Sequence, residues 1–312
     1  MKLFFKLCLF GLLLNLPNFS YSQKGELKEV GLFLGVANYL GELGGSSKIG
    51  RPFINDLELG MTRPSIGGFY RYNLNSYIGF RANLFWAVVT GNDKLAYPRA
   101  VMADEWYRWY RNLSFKASIF EFSAQVELNF MKYEPRRKRY RFAPYIFLGI
   151  GGFQYTPKAK YIDPETESKR WVDLRSLGTE GQGTVEYPDR QKYKPAAMCI
   201  PMGFGVKYAI NRYWNLGFEI GHRITTTDYL DDVSKTYPGE TIFANNYDEE
   251  TAKLVYFLSR RSQEIDPAGR YDNVTDANMQ RGDPHDFDHY MLAGALVVIF
   301  NITGGKVITP KF

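Results

Sequence analysis

From Ser118 to Phe130 the chain alternates strictly. Phe120, Phe122, Ala124, Val126, Leu128 and Phe130 fall on one side, and Glu121, Ser123, Gln125, Glu127 and Asn129 on the other. A period of two sustained over that length predicts a β-strand. An apolar face opposite a charged one predicts a wall with lipid on one side and a wet or salt-bridged lumen on the other. The same alternation predicts strands at Glu29 to Leu40, Ser65 to Asn73, Tyr77 to Thr90, Ser118 to Tyr133, Arg141 to Tyr155, Ala196 to Ala209, Trp214 to Thr226 and His289 to Asn301. The expected fold is all-β: an eight-stranded antiparallel transmembrane barrel of the outer-membrane type, with long extracellular loops.

The connections alternate between short (Asn73 to Tyr77, Tyr133 to Tyr140, Ile210 to Trp214) and long (Gly41 to Pro64, Gly91 to Phe115, Thr156 to Pro195, Asp228 to Asp288). Barrels of this class keep short turns in the periplasm and long loops outside, which places both termini in the periplasm. A soluble sandwich has no reason to sort its loops by length.

Following the alternation inward gives a lumen set of Glu29, Arg71, Arg81, Glu121, Glu127, Lys207, Glu219 and Arg223, four acids and four bases. Buried charges are tolerable only when paired, so a salt-bridged interior is expected. About eight strands enclose a space that side chains can fill, which disfavours a diffusion pore. The fifth strand, with Gly149, Gly151 and Gly152, has an ambiguous register. On the last strand Leu292, Gly294 and Leu296 are read as facing outward. Within the last long loop, Asp248 to Ser262 has acids at its start and Arg260 and Arg261 near its end, the charge order that complements a helix dipole.

Composition changes this picture little. The 16% aromatic content and 29 glycines among 312 residues suit the girdles and tight lumen of a barrel. The slightly negative mean hydropathy is uninformative, because alternating strands cancel in any window. Lys2 and Lys6, the apolar run Leu7 to Leu14 and Ser20-Tyr21-Ser22 read as a secretory leader over residues 1–22, leaving 23–312 as the barrel domain. Its removal takes away two lysines and no acid, lowering the formal charge from +6 to +4. It also leaves Cys199 as the one cysteine, so an intramolecular disulfide is impossible. No other stretch approaches the roughly 20 apolar residues of a membrane-spanning helix. Insertion therefore requires a closed sheet with no unpaired edge.

Candidate chemistry is sparse. Asp283-Pro284-His285-Asp286-Phe287-Asp288-His289 has no diagnostic ligand spacing and reads as a polar loop at the rim of the last strand. His222 lies on the lipid face near the outer rim, where a lipid-modifying enzyme could keep a catalytic histidine, but the neighbouring outward positions Ile200, Met202 and Phe204 bring no nucleophile or acid. Trp106, Tyr107, Trp109 and Tyr110 fit an external ligand surface or a headgroup girdle equally well. Arg136, Arg137, Lys138 and Arg139, flanked by Lys132 and Arg141, form the densest basic cluster. It reads either as an interfacial turn snorkelling to headgroups or as a docking point for an acidic periplasmic partner. No catalytic residue, metal, cofactor, nucleic acid or small-molecule substrate is expected; outer-membrane lipids are.

Ala37-Asn38-Tyr39-Leu40-Gly41-Glu42-Leu43, Arg63-Pro64-Ser65-Ile66-Gly67-Gly68-Phe69-Tyr70-Arg71-Tyr72-Asn73 and Arg111-Asn112-Leu113-Ser114-Phe115 appear in order. They are followed by Thr227-Asp228-Tyr229-Leu230-Asp231-Asp232-Val233-Ser234, Leu258-Ser259-Arg260-Arg261-Ser262-Gln263-Glu264, Arg281-Gly282-Asp283 and Asp288-His289-Tyr290. Together these resemble the PorG-like outer-membrane proteins of Bacteroidetes, across essentially the whole mature chain. The resemblance implies a non-enzymatic barrel of the type IX secretion and gliding machinery, with a periplasmic ring-forming lipoprotein as partner. It carries over no catalytic residues, and the basic turn is not one of its motifs.

Overall fold

The computed structural model describes residues 27–44, 59–96, 98, 100–163 and 166–302. The leader expected at 1–22 and part of the first long loop lie outside them. Among the described residues nine strands form: β1 (Leu27–Leu40), β2 (Arg63–Asn73), β3 (Ile78–Asn92), β4 (Ser114–Asn129), β5 (Phe142–Ile162), β6 (Lys169–Asp173), β7 (Ala196–Ala209), β8 (Trp214–Thr225) and β9 (His289–Asn301). All pairings are antiparallel. The order β4-β3-β2-β1-β9-β8-β7-β5 is closed by β4 pairing with β5, so eight strands make a barrel. β6 stands outside the ring. It pairs with the upper end of β5, from Lys158 to Ile162, after β5 has left β7 at Gln154. That hairpin extension replaces part of the loop expected from Thr156.

Two short turns are closed by asparagine. Asn75 Oδ1 accepts from the amides of Tyr77 (2.7 Å) and Ile78 (2.8 Å), and Asn211 Oδ1 accepts from those of Tyr213 (2.8 Å) and Trp214 (2.9 Å). A short amide side chain that mimics a backbone turn sets the reversal without glycine. The third, between β4 and β5, is held by Glu134, which pairs with Lys132 at 3.2 Å and Arg137 at 3.1 Å.

The wall sorts its faces as alternation demands. Phe120, Phe122, Val126, Leu128 and Phe130 are exposed outward, joined by Leu32 and Leu34 of β1, Leu84 and Trp86 of β3, and Phe204 and Val206 of β7. From Phe120 to Phe130 about ten residues at ~3.4 Å each, tilted by ~45°, project to roughly 24 Å, the height of an outer-membrane apolar band. β5 resolves its register with Ile146, Leu148 and Ile150 outward and Gly149 and Gly151 inward. A Cβ on Gly151 would come within 2.8 Å of Ser123 Cβ and 3.1 Å of Cys199 Sγ, so only glycine lets those neighbours fill the lumen.

The reading of β9 needs correction. Its register with β1 slips between Leu34 and Gly35, and its register with β8 between Gly217 and Glu219, which leaves Ala295 as an extra residue. This bulge reverses the faces on one side of it. Leu296 is outward as expected, but Leu292 is 1% exposed and inside, and Gly294 backs onto the Phe33 ring.

Inside, aromatic and aliphatic side chains (Phe33, Phe85, Ile119, Phe153, Leu292, Ile299) pack in one cluster. Above the mouth, the β5 extension, α2 (Leu174–Leu177), α3 (Glu240–Asn246) and α4 (Glu249–Ser259) build a cap with its own small core, including Leu174, Phe243, Val255 and Leu258. α4 lies within the stretch expected to be helical. Asp248 is its N-cap, accepting from the Thr251 amide at 3.0 Å. α1 (Asp104–Arg111), α2 and α3 were not foreseen.

Candidate functional site

Two polar assemblies stand out, one in the lumen and one at its long-loop mouth. The eight charged lumen residues are each no more than 2% exposed. Arg71 joins Glu29 and Glu127 (both 2.9 Å). Glu127 also takes Arg81 (3.1 Å) and Lys207 (3.3 Å), and Arg81 reaches Glu219 at 2.5 Å. Arg223 pairs with Glu121 at 3.2 Å. The two parts are linked, since Ser123 donates to Glu121 at 2.8 Å, Gln125 Nε2 to Ser123 at 3.4 Å, and Arg81 to Gln125 Oε1 at 2.5 Å. Arg81 lies between the rings of Phe69 (5.1 Å) and Phe147 (5.2 Å), a dry face for a guanidinium.

The remaining two barrel strands contribute phenols. Tyr145 of β5 donates to Glu219 at 2.6 Å, and Tyr290 of β9 donates to Glu121 at 2.8 Å. Each of the eight barrel strands thus contributes to the same network. Tyr145 was hidden by the unresolved register of β5, and Tyr290 by the bulge that follows it. A continuous water path would leave some of these charges solvated, and their burial argues for a filled interior.

The mouth assembly was not identified from the sequence. The segment Thr227 to Ser234 dips into the barrel, burying Leu230 completely and Val233 to 2% in the lumen cluster. Around it gather Glu42, Asp93, Arg111, Glu180, Asp228, Asp231, Asp232, Arg281 and Asp288. Arg111 grips Asp93 through Nε (2.8 Å) and Nη2 (3.0 Å), and donates to the carbonyls of Arg281 (2.6 Å) and Glu42 (3.1 Å). Arg281 donates to Glu180 at 2.9 Å and to the Asp232 carbonyl at 2.6 Å. Asn112 ends α1 in the left-handed region (φ 57°) and donates to the Arg261 carbonyl at 2.9 Å.

Carboxylates outnumber cations in this plug, and burial raises their pKa values. Burial, with hydrogen bonds and Arg111 and Arg281 acting against it, lifts Asp231 to about 7. Asp232 is lifted to about 7 and Glu42 to about 8 for the same first cause, and Asp228 to about 9. The Tyr39 hydroxyl touches both Asp231 Oδ2 (2.7 Å) and Asp288 Oδ1. A phenol has one proton to give, so the trio holds when one carboxyl keeps its own.

The other candidates are placed as follows. Arg136, Arg137, Lys138 and Arg139 are all exposed on the β4–β5 turn, at the end where β1 starts and β9 finishes. Trp106 and Tyr110 fit neither sequence reading. They are buried, stacked 4.9 Å apart on α1, and pack against Tyr271. His222 Nε2 lies 3.1 Å from His289 Nδ1, and His285 is exposed. Among the described residues no cluster of three or more His, Cys, Asp or Glu has the geometry to hold a metal.

The structure is similar to the N-terminal β-barrel domain of Pseudomonas aeruginosa OprF (9% identity, 88% of this chain and 96% of that one, TM-score 0.31). It is also similar to the Yersinia pestis attachment invasion locus protein Ail (7%, 89% and 99%, 0.35) and to Neisserial surface protein A (8%, 88% and 95%, 0.32). No curated protein matches the chain. A family model matches residues 6–177, more than half of the chain, which therefore belongs to the family described as a domain of unknown function, DUF6089.

Proposed function

We propose that the protein is a non-enzymatic, integral outer-membrane barrel that anchors or scaffolds the type IX secretion and gliding machinery, with short turns and both termini in the periplasm. The membrane placement is supported by the charge-free outward belt of β4, about 24 Å high, on a closed ring of eight strands. The anchoring role is supported by the PorG-like motifs, most of which meet in the mouth plug. Tyr39, Arg111, Asn112, Asp231, Asp232, Arg261, Arg281 and Asp288 come from six of these motifs and share hydrogen bonds there.

The observation that carries partner binding is the basic turn. From Lys132 to Arg141, on a short turn at the terminal end, the sequence holds six basic residues and one acid, Glu134, which pairs with Lys132 and Arg137. Concentrated charge steers association and fixes orientation, which suits an acidic face of a ring-forming lipoprotein. Replacing Arg136, Arg137, Lys138 and Arg139 by Glu abolishes co-purification of that partner under this reading; unchanged co-purification at low salt rejects it. Deletion of the gene impairs export of proteins bearing the cognate C-terminal signal, and normal export rejects the secretion role.

A second reading, a passive structural or adhesive barrel, is favoured by the folded cap with its own core on the long-loop side. It is distinguished by partners that bind only at the cap.

A further inference from the structure

The β5–β6 hairpin carries cations on the lipid side of the wall, above the apolar belt. Even-numbered residues of β4 and β5 face outward, so the outward column of β4 runs from Phe122 and Phe120 through Ser118 to Lys116. Lys116 lies opposite Lys158 of β5, Lys160 opposite Trp171 of β6, and Ile162 opposite Lys169. Cross-strand partners share a face, so Lys116, Lys158, Lys160, Lys169 and Trp171 form one outward patch. All four lysines are exposed, and the Lys116 ammonium lies 5.4 Å from the centre of the Trp171 ring. Asp173 shares this face, opposite Lys158, and its Oδ1 already accepts from the Arg175 amide at 3.1 Å. None of the four lysines makes an ion pair with a described residue.

We propose that this patch is a binding site for the phosphate groups of an outer-leaflet anionic glycolipid. The inference rests on the membrane reading above. Its occupant follows from position: a phosphate held here sits at the headgroup level of the acyl chains that cover Phe120 and Phe122, where lysines reach the interface on flexible stems and an aromatic ring lies at the boundary. A lysine near an anionic membrane surface contributes about a fivefold gain in affinity, and a phosphate offers oxygens to several ammonium groups at once.

The test uses the full mature chain in phosphatidylcholine nanodiscs doped with diphosphorylated lipid A or with the same lipid dephosphorylated, read by native mass spectrometry of retained lipid. The wild type retains the phosphorylated form over the dephosphorylated one by about tenfold or more. K116Q/K158Q/K160Q/K169Q loses that preference, and the corresponding Lys→Arg variant keeps it. Heat-modified gel mobility shows that each variant has folded. Neutralising Arg136 to Arg139 leaves the preference unchanged. Equal retention of the two lipids, retention unaltered in the Gln variant, or full displacement by inorganic phosphate overturns the proposal. A chain that stays monodisperse without detergent or bilayer overturns the membrane reading itself, a separate result.

Discussion

Arg81 of β3 and Glu219 of β8 meet across the lumen, Nη1 to Oε2 at 2.5 Å and Nη2 to Oε1 at 2.9 Å, although their strands are not neighbours in the sheet. Backbone pairing binds each strand to the next; this fork ties opposite walls. Arg81→Leu leaves the Glu219 carboxylate in a dry interior with Tyr145 alone, a loss of about 3–5 kcal/mol. The double variant Arg81→Met/Glu219→Leu recovers most of it, because matched apolar side chains remove both desolvation costs. Urea unfolding of both variants in lipid vesicles measures the difference; equal loss in the two rules out the strut.

The plug responds to pH in a defined direction. Asp231 and Asp232, near 7, Glu42, near 8, and Asp228, near 9, bind protons more tightly folded than unfolded. The plug is therefore free of this penalty below about pH 4, where both states are protonated, and loses stability as pH rises through 7 to 9. Arg111 and Arg281 oppose the effect without reversing it. Limited proteolysis within residues 226–288 is slower at pH 6 than at pH 9, and Asp228→Asn with Asp231→Asn flattens that dependence.

Arg281 draws together Glu180 and the Asp232 carbonyl, from segments far apart in the chain. Arg281→Gln leaves the buried Glu180 carboxylate without its cation, which costs about 3 kcal/mol or more locally. Since the barrel ladder is untouched, protease cleavage of the last long loop increases while folded gel mobility persists. Loss of both would mean that the plug is required for the barrel to close.

The outward belt predicts a depth profile. Val126→Arg, near mid-height on β4, destabilises by about 2–4 kcal/mol, and Phe130→Arg, at the short-turn rim, by about 1 kcal/mol or less. Folding equilibria of the two in bilayers give the comparison, and equal costs would contradict a membrane-spanning wall.

The strands were legible because a half-buried strand writes its environment into neighbouring positions. From Phe120 to Asn129 each residue of β4 announces its face by being apolar or polar, and Ala196–Ala209 and His289–Asn301 have the bounds that alternation gives. The eight lumen charges follow from the same parity. That signal is local and survives only while parity holds. One extra residue at Ala295 inverts the faces of Leu292 and Tyr290, and nothing in the composition of β9 marks the slip.

The sequence by itself determined the eight wall strands, the inner and outer faces of those whose alternation was neither blurred by glycine, as in β5, nor broken by a bulge, as in β9, and the sorting of short turns from long loops, because each depends on residues within a few positions of one another. The tertiary structure alone decided that Thr227 to Ser234 seals the mouth, that Trp106 and Tyr110 pack inward on Tyr271, and that four lysines from three strands share one outward patch. These depend on contacts between residues far apart in the chain, and loop segments carry no period from which such contacts can be read.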